Sequence, residues 1–179
     1  NGCSVAEGSG TIANGFASHA EGEGNTASGR AAHVEGGAVD PLGNPAHNLA
    51  SGPSSHAEGV DTTASGFASH AEGGTFDITL FSGPQALGSF SHAEGSNTTA
   101  SGDSSHAEGA FTTASGDASH AEGVFTTASN DSAHAEGDGT TASGFSSHAE
   151  GQNTSTAGFP GAHIMGRFGD ATESFSWFI

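Results

Sequence analysis

Along most of the chain, small residues alternate with polar ones in bursts of five that end on glycine. Ser91-His92-Ala93-Glu94-Gly95 is one such burst, and Thr98-Thr99-Ala100-Ser101-Gly102 is the next. Alternation of period two marks a strand, because successive side chains leave a strand on opposite faces. His92, His106, His120, His134 and His148 fall fourteen residues apart. The pattern therefore predicts two short strands and two corners per fourteen-residue coil of a β-solenoid, an all-β fold. Ser91, Ala93, Thr98 and Ala100 are expected to point into the coil. His92 and Glu94 should leave one face, and Thr99 and Ser101 the other. Glycine at every seventh position reads as a corner, where a positive φ costs little in the absence of a Cβ. Asn130 stands at one such corner and is a residue that tolerates the left-handed region.

Aligned on histidine, the coils run through His19, His33, His56, His70, His92, His106, His120, His134, His148 and, one residue late, His163. Val5 takes the same place in the first copy. Two gaps exceed fourteen, and these predict insertions at about residues 37–49 and 74–86, leaving from Gly36 and Gly73. Phe76, Ile78 and Leu80 alternate, which suggests a small hairpin with one apolar face. With Phe81 they form a candidate recognition loop, since loops on a rigid scaffold commonly carry function. The roll is expected to occupy residues 1–158 and to rise about 48 Å in ten steps of about 4.8 Å. Residues 159–179 break the period and are expected to leave the roll as a cap or neck junction. There Ile164, Met165, Phe168, Phe175, Trp177, Phe178 and Ile179 gather apolar area for packing between chains.

Composition narrows the function. Two basic residues, Arg30 and Arg167, stand against 20 carboxylates, a formal charge of −18. That sign excludes a nucleic-acid face and an anionic membrane surface as partners. No apolar run approaches the roughly 20 residues needed to span a bilayer. The chain opens at Asn1 without a signal peptide and reads as a fragment or processed product. Cys3 is the only cysteine, so no disulfide framework is expected. Low hydrophobicity with high charge usually means disorder, but the repeat outweighs that prior.

A roll filled with Ala and Ser buries little apolar area against about 1–2 kcal/mol of backbone entropy per residue. Self-association is the natural way to bury another face. Thr and Ser tolerate solvent, which leaves the His and Glu face for the interface. The expected interface residues are His19 and Glu21, His56 and Glu58, His70 and Glu72, and His92 and Glu94. The same face continues through His106 and Glu108, His120 and Glu122, His134 and Glu136, and His148 and Glu150.

The pattern Ser-x-Ala-x-Gly-x-x-Ser/Thr-x-Ala-x-Gly, in one register over about residues 3–158, resembles the YadA-like head of trimeric autotransporter adhesins. The resemblance implies a left-handed parallel β-roll, three of which intertwine as a homotrimer. It also implies that the positions of His92 and Glu94 face the three-fold axis. Where that family usually has aliphatic residues this chain has His and Glu, so its trimer core would be polar. The segment Gly158–Phe178, "GFPGAHIMGRFGDATESFSWF", resembles the junction between such repeats and an autoproteolytic chaperone domain in Gram-positive and phage fibre proteins.

Ser-His-Ala-Glu invites a catalytic reading, but adjacent strand residues face opposite ways, so Ser91 cannot serve His92. No enzyme activity and no cofactor are expected. Imidazole and carboxylate at i and i+2 suit zinc or similar ions, and His92, Glu94, His106, Glu108, His120 and Glu122 are the weak metal candidates. Dedicated sites are normally few, whereas these coils are all alike, so an inter-chain His–Glu hydrogen-bonded ladder is preferred. In that ladder attraction should raise the histidine pKa values and depress those of glutamate. The threonine column (Thr63, Thr99, Thr113, Thr127, Thr141) allows an ice-binding reading against ordinary β-propensity. Calcium-binding solenoids need a Gly-Gly-x-Gly-x-Asp pattern, which is missing. Phe16, Phe67 and Phe145 follow corner glycines, Phe90, Phe111 and Phe125 precede inward residues, and all six read as packing. Asp103, Asp117 and Asp131 read as solvated. The whole describes a structural, adhesive fibre segment of a cell-surface, spore-surface or phage appendage, extracellular or on a virion. Its partners would be copies of itself and a host receptor or matrix ligand. A ligand- or ice-binding module using the insertions or the Thr/Ser columns is the alternative.

Overall fold

The structure, a computed structural model, describes residues 2–178. It is a parallel β-solenoid of about twelve coils. A regular coil contributes a five-residue strand, as at His92–Ser96 and His106–Ala110, and a two-residue strand, as at Thr99–Ala100 and Thr113–Ala114. Each strand pairs with its counterpart one coil on, in register. His92 lies opposite His106, Glu94 opposite Glu108, and Thr99 opposite Thr113. The register steps cleanly over both insertions, setting His33 beside His56 and His70 beside His92.

Alternation sorts the side chains as the sequence implies. Ala93, Ala100, Thr98 and Ser91 are buried, and so are their equivalents in the inner coils, whereas Ser4 and Ala6 of the first coil are exposed. Alanine fills this interior because the two strands of a coil lie too close for more; Val34 is the largest fully buried side chain. The inward serines satisfy their hydroxyls locally, as when Ser105 Oγ donates to the Gly102 carbonyl at 2.6 Å.

The corners correct one expectation. Gly95 does adopt a positive φ of 104°. Gly102 and Asn130 do not; what constrains Gly102 is the next coil, since a Cβ there would lie 2.0 Å from the Gly116 carbonyl oxygen. The left-handed positions come two residues later at this corner, at Ser104 and Ala118, and at the opposite corner they fall on Asn97, Phe111 and Phe125.

The insertions also differ from expectation. The hairpin is in the first, where Ala38–Val39 pairs antiparallel with Pro45–Ala46. The second forms a turn at Asp77, whose carbonyl accepts from the Leu80 and Phe81 amides, with no strand over 75–84. Asp77 is the reason: its carboxylate takes the Thr79 amide and hydroxyl, an Asx turn that breaks the apolar alternation.

The expected departure from the roll after Gly158 does not occur. His163–Asp170 pairs in parallel with His148–Ser155, and Trp177 pairs with His163. Backbone pairing survives here although the side-chain pattern fades, because a parallel ladder needs amides rather than particular residues. The Phe178 side chain and Ile179 lie outside the described residues. Among the described residues no helix is long and apolar enough to cross a membrane.

Candidate functional site

Because the coils stack in register, His and Glu at i and i+2 build two columns on one face. The imidazoles form a continuous stack: His92 and His106 have ring centroids 4.8 Å apart and planes 1° from parallel. The stack runs from His19 through His163 and ends on Trp177. Every expected interface pair lies on this face. His33 and Glu35, which were not among them, belong to the same columns.

Most of the imidazole Nε2 atoms lie within 4.0 Å of a carboxylate, from His33 through His120 and again at His148 and His163. His92 Nε2 lies 3.4 Å from Glu72 Oε1 of the coil before and 3.8 Å from Glu94 Oε2 of its own. His56 and His148 are flanked in the same way. The Nε2 atoms from His33 to His163 are nonetheless buried without a hydrogen-bond partner. Ligand-capable atoms within 4.8 Å of one another include the sets His92, Glu94, His106 and His106, Glu108, His120. The weak metal candidates are thus brought together.

The titration of the columns reverses the expected signs for histidine. Burial lowers the pKa of His56, His70, His106, His134 and His148, stacked imidazoles lower it further, and nearby glutamates only partly offset this. The glutamates divide. Glu58, Glu94 and Glu136 are pushed up to about 7, first by a hydrogen bond to a neighbouring glutamate (Glu35, Glu108 and Glu150 respectively). Glu35, Glu72 and Glu122 are lowered, first by accepting from Glu58 or Glu136. Stacked carboxylates cannot all ionise, so neighbours share protons. The sequence pairs each Glu with a His as relief for the stacked carboxylates, and the sharing of protons between neighbouring glutamates was not expected.

Elsewhere on the roll, Ser91 Oγ donates inward to the Gly88 carbonyl at 2.7 Å, away from His92. The threonine column contains Ile12, Leu49 and Gln85, which leaves four consecutive threonines from Thr99 to Thr141. Asp103, Asp117 and Asp131 are more than solvated: Asp117 Oδ1 accepts the Asp103 amide at 3.0 Å, and Asp131 Oδ1 the Asp117 amide at 3.2 Å. Phe111 stacks on Phe125 at 4.9 Å, and Phe81 meets Phe111 edge-on.

The two insertions touch through Asp40, which sequence reading missed. Asp40 is 2% exposed, and its carboxylate accepts from the Leu42 and Asn44 amides, from Asn44 Nδ2, and from the Ile78 amide of the other insertion at 3.1 Å. Burial raises its pKa, but these donors outweigh burial and leave the carboxyl below its ordinary value. An Asp before a Pro-Leu-Gly turn was the available signal. Around it Leu42, Phe76 and Leu80 are exposed.

Residues 86–105, 93–117 and 135–156 match the YadA head domain repeat. The parallel solenoid and its fourteen-residue coils agree with a YadA-like head β-roll. No curated protein matches the chain.

Proposed function

We propose that these repeats form a segment of a homotrimeric adhesive fibre, carried outside a cell, on a spore or on a virion. The observation that supports this most is the pairing of a uniform solenoid with an interior of alanine and small polar residues, in a chain whose repeats match a head-domain family. So thin a core gains little from burial, and a lateral interface would supply the rest. In this reading the rolls wind left-handed, three chains set their His and Glu columns toward a common axis, and the last coil, with Trp177 on His163, closes the end of each roll. The half-buried columns fit such a place, because about a third of each imidazole and carboxylate is still open for a neighbouring chain to cover.

Attachment belongs to the edge where the insertions meet. Leu42, Phe76, Leu80 and Phe81 are exposed there beside the Asp40–Ile78 link, an apolar patch on an otherwise acidic molecule. Sedimentation equilibrium tests the assembly: a trimer is expected, and a monomer at high concentration overturns it. Adhesion of protein-coated beads to host surfaces or matrix, compared with a form lacking residues 74–81, which restores a fourteen-residue coil, tests the role of the edge. Equal adhesion by both forms would remove it.

A further inference from the structure

The imidazole column holds buried Nε2 atoms with no hydrogen-bond partner, and those of His56, His92, His106 and His148 have carboxylate oxygens on both sides. An orphaned buried nitrogen is costly, and a carboxylate ladder in a chain with two basic residues lacks counter-charge. A dication answers both needs. One imidazole nitrogen and two carboxylate oxygens are a ligand set for zinc and similar borderline ions, with positions left for water. The set Glu72–His92–Glu94 has its nitrogen 3.4 and 3.8 Å from the two oxygens. Those separations close to ligand spacing with small side-chain rotations, because bonds of about 2.0–2.2 Å put neighbouring ligands roughly 3 Å or more apart.

We infer that this face binds zinc-class dications, one to each Glu–His–Glu set that spans two successive coils. Sets centred on His56, His92 and His148 are flanked on both sides and share no carboxylate. His106 leans on Glu94, which His92 also uses, so neighbouring coils compete. Dications one coil apart would also sit about 4.8 Å from each other and repel strongly. Occupancy therefore skips coils, and each ion balances two glutamates. All ligands come from one chain, so the inference does not rest on the trimer.

The test uses the chelator-stripped full chain, dialysed against zinc alone at neutral pH and physiological salt. Bound metal is counted, and X-ray absorption reads the coordination shell. About three ions per chain are expected, one for each non-sharing set, with imidazole in the shell. His92→Gln combined with His106→Gln, which could otherwise take over Glu94 together with Glu108, should remove one ion, while His47→Gln, outside the column, should remove none. If the double variant loses its β-sheet circular dichroism, Glu72→Gln with Glu94→Gln should remove the same ion. Zinc uptake unchanged by these substitutions, or an oxygen-only shell from exposed carboxylates, overturns the inference.

Discussion

The indole of Trp177 lies on the imidazole of His163, with centroids 4.5 Å apart and planes 24° from parallel. It closes the imidazole stack at the end of the roll while the residue as a whole stays 66% exposed. Aromatic pairs contribute about 0.5–1.5 kcal/mol beyond their area. Trp177→Ala should therefore loosen the last coils first. Amide exchange over 163–170 is expected to quicken several-fold, with the coils around His92 unchanged. Uniform protection along the whole roll in the variant would mean that the stack does no capping.

A second prediction comes from the interior. Asn25 Nδ2 donates to the Glu21 and Gly36 carbonyls at 2.7 and 2.8 Å, and its Oδ1 accepts the Asn48 amide. Asn48 repeats the pattern. Thr112 and Thr126 hold the equivalent position with buried hydroxyls that have no partner. Thr112→Asn should extend the asparagine ladder to the Glu108 and Gly123 carbonyls. At about 1 kcal/mol per hydrogen bond, urea denaturation should show a gain of about 1–2 kcal/mol. A loss in both Thr112→Asn and Thr126→Asn would mean that the coil has no room for the longer side chain.

How much of this was legible depended on distance along the chain. Which residues face inward, such as Ala93 and Thr98, followed from alternation alone, and so did the His and Glu columns. The second insertion misled because Phe76, Ile78 and Leu80 alternate while one side chain, Asp77, decides the turn. The link from Asp40 to Ile78 joins residues 38 apart, and no local pattern reports it. The continuation past Gly158 was marked only by His163, one residue late in the histidine alignment, and the apolar residues around it obscured the period. The sharing of protons between Glu58 and Glu35 depends on carboxyl orientation, which composition does not carry.

The Asp40 link has a direct test. Asp40→Ala removes the acceptor for four donors, one of them the Ile78 amide, and strands these donors near the surface. Hydrogen bonds to a charged group contribute about 1.5–3 kcal/mol, so both insertions should loosen while the roll stays folded. Limited chymotrypsin digestion should then cut at Phe76, Leu80 or Phe81, which the parent resists. Equal resistance would show that the insertions hold their shape independently.

Phe111 and Phe125 occupy left-handed conformations, with φ of 56° and 55°, where Asn97 and Asn153 stand in other coils. A bulky residue there is strained by about 1–2 kcal/mol, yet the two rings stack and Phe125 is largely exposed. Strain kept at an exposed site points to use. Phe125→Asn is expected to raise the urea midpoint of the isolated chain and to weaken self-association or adhesion. A variant that lost stability and adhered normally would show the ring to be packing alone.

The last prediction concerns pH, for protein kept in chelator. Glu58, Glu94 and Glu136, raised to about 7 in the fold, bind protons there more tightly than in the unfolded chain. Their contribution is complete below the ordinary glutamate value and is lost as pH rises through about 7. His106 and its lowered neighbours act in the opposite sense. They contribute above the unfolded value of 6.5, and that stability is lost as pH falls toward their folded values. Lowered Glu35, Glu72 and Glu122 contribute above the ordinary glutamate value and lose it in stronger acid. Between 6.5 and about 7 only the raised glutamates still change, so stability should fall as pH rises there. Glu94→Gln keeps a donor toward its neighbours without a charge. Its melting temperature should exceed the parent's in mildly alkaline buffer and match it, or fall below it, near the ordinary glutamate value. His106→Gln should instead soften the loss of stability on the acid side. Melting curves of the three proteins across this range decide the matter: parallel profiles would mean that the carboxyls of the column do not share protons.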